Sequence, residues 1–301
     1  MFLKHTEKYF TFDLLKNKIM NVKLFFISVS VVALASCGGE PKTDPQNPEN
    51  KDSLKDTGTA INEKAEFAFD LAVANLPSPF GTMDMISKTG MPFNKDLLNS
   101  FDNAKNYSSS KQKSLNFGIY NVDMGYVVSY NQNQEVMKYM AVNSKLAEEI
   151  GAGAMFNDIA SEAALNKTMN NRDSLLALLN KAYDASDKYL RNNERLVSAT
   201  HMLIGGWVES NYITLQLLNG AAKTKKNEIL YDKIWQQRSV IEDIIKLIEA
   251  HNNDGEFNDL KEGLAAIQTV FAEIKNQDDL TKERLIAMKD KVAAVRTMIV
   301  K

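Results

Sequence analysis

Residues 196–218 read LVSATHMLIGGWVESNYITLQLL, and wound at 3.6 residues per turn this stretch leaves no wholly polar face. A surface helix carries one apolar stripe, whereas a helix apolar nearly all round is buried at the centre of a domain or spans a membrane. As a span it would carry His201, Glu209 and Asn211 into hydrocarbon, where polar groups are costly. It therefore reads as the central core helix. Glycine costs a helix interior roughly 1 kcal/mol relative to alanine, so the adjacent Gly205 and Gly206 imply a compensating close approach by a neighbour. The expected neighbour is the helix bearing Gly118, Asp123 and Gly125, whose two glycines lie seven apart on one face.

Outward from this core the helical signal continues. No proline occurs from residue 93 to residue 301, as suits long helices. Leu285, Met288, Val292, Val295 and Ile299 alternate three and four apart, with Thr281 placed to cap the helix. Leu230, Ile234, Ile241, Ile244, Ile245 and Ile248 form a second stripe, and Leu264, Ile267, Phe271 and Ile274 a third. Val136, Met140 and Ile150 belong to a helix that Gly151 can end in the left-handed conformation. Helices are expected over 80–89, 95–106, 110–131, 134–150, 155–168, 172–190, 193–219, 227–250, 257–275 and 281–300. Residues 60–76 fit either a helix or an extended arm leading into Pro77-Ser78-Pro79. The expected fold is all-α, a multi-helix antiparallel bundle or irregular array of about nine to ten helices over residues 60–301. A content of 44% hydrophobic and 25% charged residues places the chain among globular proteins rather than disordered ones.

Ahead of the helical body, residues 38–59 (GGEPKTDPQNPENKDSLKDTGT) hold three of the six prolines and one aliphatic residue, Leu54. Too little apolar surface is present to offset the entropy of ordering such a segment, so 37–59 reads as a lipidated cysteine on a flexible tether. Leu24 to Ala33 (LFFISVSVVA) is an apolar run too short to span a roughly 30 Å hydrocarbon core but of the right length for a signal peptide. It ends in Leu34-Ala35-Ser36-Cys37, and Cys37 is the sole cysteine. LASC looks like a lipobox, in which small residues admit the signal peptidase and the Cys37 thiol takes the lipid. Residues 20–36 then form the lipoprotein signal peptide. Residues 1–19, with acids and aromatics a signal rarely has, read as an extension ahead of a start at Met20. Gly38 stands where an aspartate would favour inner-membrane retention, so the expected destination is the outer membrane, facing either the periplasm or the outside. Asp52-Ser53-Leu54 matches a three-residue O-glycosylation sequon, with Ser53 the acceptor.

Charge narrows the partners. Net charge is −2; without residues 1–36, which hold five lysines and two acids, 31 basic and 36 acidic side chains remain, a net of −5. A nucleic-acid-binding face needs clustered positive charge, so DNA and RNA are set aside. The expected partners are a membrane, through the lipid, and another envelope protein.

One constellation invites a chemical reading. Asp123 sits in GIYNVDMGYVVSY, one helical turn from Tyr120 and Tyr126 among apolar residues. A buried carboxylate needs partners or a shifted pKa. Glu209 stands in a similar setting after Gly205-Gly206-Trp207. If the two glycine-bearing helices pack together, two carboxylates and several phenols converge. They would form either a ligand or cation site or a hydrogen-bonded core pair that fixes helix register; the second is preferred. Tyr120, Tyr126 and His201, the last on the same helix as Glu209, are the further candidate ligand-binding residues, with a satisfied core histidine the preferred reading of His201. No HExxH, ExxH pair, GxSxG or P-loop occurs, and His251 to Gly255 fails as a calcium loop. No catalytic residue, metal or cofactor is therefore expected.

The signal, lipobox and proline-containing tether resemble those of Bacteroidota lipoproteins. LPSPF at 76–80, LNFGIYNVDMGY at 115–126 and GGWVESNYI at 205–213 look like segments of an uncharacterised helical lipoprotein family of that phylum, over most of residues 65–220. The resemblance carries no activity, so no catalytic role is transferred. The function implied is a membrane-anchored envelope lipoprotein whose helical domain binds a partner or ligand without catalysis. The alternative is an enzyme or metal-dependent small-ligand binder using the carboxylate and tyrosine cluster.

Overall fold

Eleven α-helices and three short 3-10 turns account for the described residues, with no β-strand among them. The computed structural model describes the backbone of residues 52–76, 78–251 and 255–301. Cys37, its LASC context, the signal stretch and the tether up to residue 51 lie outside that range. The fold is all-α, as the periodicity implied.

In chain order the helices are α1 (Asp52–Asn75), α2 (Pro79–Lys88), α3 (Ser110–Ser129), α4 (Asn133–Glu149), α5 (Gly153–Ile159) and α6 (Glu162–Thr168). They continue with α7 (Arg172–Asn192), α8 (Leu196–Leu218), α9 (Glu228–His251), α10 (Asn258–Ala272) and α11 (Lys282–Val300). Most boundaries fall within three residues of expectation, the usual uncertainty of helix ends. Local signals fix several of them. Gly151 takes φ 83° after α4, and the Ala152 amide reaches back to the Ala147 carbonyl at 2.8 Å, which satisfies the open helix end. Asn171 and Thr281 cap α7 and α11 by accepting the amides of Ser174 and Arg284.

Three expectations are corrected. First, α1 begins at Asp52, inside the stretch read as tether, and runs through the ambiguous residues 60–75. Ala65, Phe69 and Ala72 recur at i, i+4 and i+7, are buried, and α1 packs on α9. A helix anchored by such a stripe extends at little cost per residue, even across Gly58. Ser53 thus falls in the first turn of α1. Second, residues 95–106 form not one helix but 3-10 turns at Lys95–Leu97 and Phe101–Asn106. The side chains of Asn94 and Ser100 accept the amides of Asp96 and Asp102, competing with helical bonding, and the Asn99 amide is drawn to Asp123. Third, the helix expected over 155–168 breaks at Ala160-Ser161, where Ser161 turns extended with ψ 156°, giving α5 and α6, each packed on α7.

α8 lies at the centre as expected, but it shares that place with α3. Every residue from Ser114 to Ser129 is buried, and α3 and α8 make the most extensive helix contact among the described residues. A Cβ on Gly118 would fall on the Met202 carbonyl oxygen and 2.6 Å from the Gly206 amide; one on Gly205 would fall on the Leu115 carbonyl oxygen. The backbones therefore touch at Gly118 and Gly205. Gly206 is looser: its added Cβ would lie 3.1 Å from the Tyr183 hydroxyl and 3.7 Å from the Gly118 oxygen. α11 packs against both α8 and α3, closing the third side of this centre. No helix among the described residues is long and apolar enough to cross a membrane.

Candidate functional site

Close packing of α3 on α8 brings Asp123 and Glu209 together, both with 0% exposure. Their third member comes from α11. Arg296 grips Glu209 with two charge-assisted bonds, Nε to Oε2 at 2.6 Å and Nη2 to Oε1 at 2.8 Å, and Nη2 also donates to the Leu97 carbonyl at 3.0 Å. The guanidinium lies 4.2 Å from the ring centre of Tyr212, a cation–π contact that covers its outer face. Burial pulls the Arg296 pKa down, but Glu209, and more weakly Asp123, outweigh it and hold the pKa above its ordinary value.

One arginine cannot neutralise two carboxylates. Asp123 Oδ2 accepts the Asn99 amide at 3.0 Å, while Oδ1 is buried and makes no hydrogen bond. Burial, and next the nearby Glu209 charge, push the Asp123 pKa well above the carboxylate range, with Arg296 opposing. Burial and the Glu209 charge therefore both favour the neutral acid form of Asp123. With Asp123 in that form, Glu209 and Arg296 are a balanced pair inside an apolar shell.

The surrounding phenols act as fixed donors and acceptors. Tyr120 donates to the Ser100 carbonyl at 2.7 Å and Tyr139 to the Asn99 carbonyl at 3.1 Å, while Tyr107 accepts from Asn99 Nδ2 at 3.0 Å. Burial raises the pKa of all three, so none ionises near neutral pH. These bonds clamp residues 97–100 onto the centre. Asn116 adds a further tie, donating to the Ile299 carbonyl at 3.0 Å.

Of the residues singled out in the sequence, Asp123, Glu209 and Tyr120 converge. Tyr126 does not join them: its hydroxyl accepts the Asn94 amide at 3.1 Å and its ring stacks on Phe93 at 5.1 Å. His201 is buried about two turns before Glu209 on α8, with its ring 4.5 Å from Phe257 and Nε2 4.0 Å from Glu256. Arg296, Asn99, Tyr107 and Tyr139 were missed. Arg296 left a trace, because Val292, Arg296 and Ile299 share one helical phase, and a cation inside an apolar stripe requires a buried acid. Asn99 left none, since its role depends on a turn within a segment that reads as helix.

No family model, curated protein or solved structure matches this chain.

The geometry therefore carries the interpretation alone. General acid–base or ligand chemistry requires a path for the reacting molecule, and neither carboxyl group has any exposed surface. Among the described residues no group of three or more histidine, cysteine, aspartate or glutamate side chains is placed to hold a metal ion. The arrangement locks α3, α8, α11 and the 97–100 segment into one register.

Proposed function

We propose that this chain is a cell-envelope lipoprotein, anchored in the outer membrane through Cys37, whose helical domain binds a partner or ligand without catalysis. The carrying observation is the LASC sequence behind an apolar run of signal length, with no other cysteine in the chain. The buried centre supports the non-enzymatic part of the reading: its most reactive-looking groups are spent on holding helices together. Lipid supplies about 0.8 kcal/mol per buried CH₂, so the acyl chains dominate membrane affinity. The expected result is that Cys37→Ser moves the protein from the membrane fraction to a soluble or unprocessed form. A variant that fractionates unchanged, or mature protein without lipid on Cys37, would overturn the reading.

A further inference from the structure

A cleft of about 410 Å³ opens where the loop after α8 faces the first turns of α11. Its walls are apolar: Leu218, Tyr231, Leu280, Leu285 and Ile286 line it. Its rim is cationic, with Lys223 on the loop and Lys282 at the start of α11. Lys225 and Lys226 follow in the same loop. Acidic side chains share these segments: Glu228 at the start of α9, Asp278 and Asp279 ahead of α11, and Glu283 beside Lys282. Among the described residues, Lys282, Lys225 and Lys226 make no ion pair, and Lys223 meets only Glu228 at 3.9 Å, both side chains being exposed. The Lys223 ammonium lies 5.3 Å from the Tyr231 ring centre, so its stem runs along the apolar wall while its head reaches the opening. The volume falls within the roughly 300–1,000 Å³ of small-molecule sites, which combine apolar walls with a few orienting polar groups.

We propose that this cleft binds a single-chain amphiphilic anion, with an acyl chain against the leucine walls and a carboxylate or phosphate head at Lys223 and Lys282. A bare anion would use the lysines and leave the apolar wall wet. A neutral lipid would cover the wall and leave the exposed Lys223 and Lys282 head groups unused. Only a molecule with both parts satisfies both features. The proposal rests on the ligand-binding part of the reading above and names its ligand class.

The test uses the full lipidated chain in phosphatidylcholine nanodiscs, photolabelled with a diazirine-bearing dodecanoic acid, with the adducts mapped by peptide mass spectrometry. Adducts are expected within 218–223 and 280–286, competed by dodecanoate and by dodecyl phosphate. The better competitor tells a fatty-acid source from a phospholipid-like one. Dodecanol should compete about tenfold less well, and Lys223→Glu combined with Lys282→Glu should cut labelling about tenfold, since the head-group contact is charge-assisted. Both positions are exposed, so circular dichroism should show that variant folded. Adducts elsewhere, equal competition by dodecanol, or undiminished labelling of the double variant would overturn the proposal. A chain that leaves the membrane on Cys37→Ser yet shows no cleft labelling would refute this site and leave the anchoring reading standing.

Discussion

The centre where α3, α8 and α11 meet and the cleft beside Lys223 and Lys282 are built from the same materials, charged side chains against apolar walls, with opposite outcomes. In the centre Arg296 is answered by Glu209, burial and Glu209 favour the neutral form of Asp123, and Tyr120 and Tyr139 donate to backbone carbonyls. In the cleft the Lys223 and Lys282 head groups stand open to water, and Lys223 meets only the exposed Glu228 at 3.9 Å. A network with no exposed carboxyl surface offers another molecule no approach, whereas an open cleft does. Conspicuous residues therefore make a poor guide to function here. The eye-catching carboxylates hold helices together, while two unremarkable lysines, Lys223 and Lys282, mark the candidate surface.

The comparison breaks first if the centre is cheap to disturb. Glu209→Ala leaves the Arg296 guanidinium in place without its carboxylate, and removing one partner of a buried pair typically costs about 3–5 kcal/mol. Urea denaturation at pH 7 should show a loss of that order, and Arg296→Met a comparable one. Glu209→Leu with Arg296→Met should cost much less than the two single changes together, because neither charge is then stranded. A Glu209→Ala protein within about 1 kcal/mol of wild type would mean that water already reaches the pair.

Next comes the helix crossing. Gly205→Ala forces a methyl onto the Leu115 carbonyl and should destabilise by about 1–3 kcal/mol. At Gly206 the neighbour is the Tyr183 hydroxyl, which has only to give slightly, and alanine recovers up to about 1 kcal/mol of helix propensity. Gly206→Ala should therefore melt near or above wild type, and the reverse order of the two variants would place the contact wrongly.

The pH dependence follows from the proton on Asp123. Its folded-state pKa is raised above an unfolded value of about 3.9, so the folded protein holds a proton that the unfolded chain releases. That contribution is complete below about pH 4 and is lost as pH rises through the folded-state value, with a limiting slope near 1.4 kcal/mol per pH unit for one proton. Asp187, raised to about 6 by burial against the pull of Arg191, acts with the same sign over roughly pH 4–6. Carboxylates with lowered values, such as Glu135 and Asp259, act with the opposite sign and only near or below pH 4. Denaturation midpoints should thus fall as pH rises from 4, and Asp123→Asn should flatten that fall by one proton's worth. The smallest effect belongs to the cleft: Lys223→Glu with Lys282→Glu should change stability by no more than about 0.5 kcal/mol, as exposed sites do.

Much of this was readable in the sequence, for physical reasons that also mark where reading failed. The all-round apolarity of 196–218, the spacing of Gly118 and the adjacent glycines at 205 and 206 are local patterns, and they placed the central crossing. The stripe of α11 gave its burial. What failed was whatever depended on a distant partner. Residues 95–106 look helical until Asp123 claims the Asn99 amide, and residues 52–59 look like tether until α9 covers the stripe that begins at Ala65. Asp123 and Glu209 could be paired by inference because both lie on glycine-bearing helices. Arg296 is 87 residues from Glu209, and no local spacing joins them. The lysine cleft was invisible because its walls come from the end of α8, the loop after it and the starts of α9 and α11.

The central claim is that the carboxyl cluster is a closed structural network in which Asp123 is a neutral acid. The most direct measurement is the carboxyl-carbon resonance of Asp123, assigned by comparison with Asp123→Asn and followed from pH 5 to pH 8 in the folded protein. The account predicts the chemical shift of a protonated acid at neutral pH, with no transition near the ordinary value of about 3.9. A carboxylate shift throughout that range would contradict it, because a second buried negative charge beside Glu209 would then need a cation or ligand that the network does not supply.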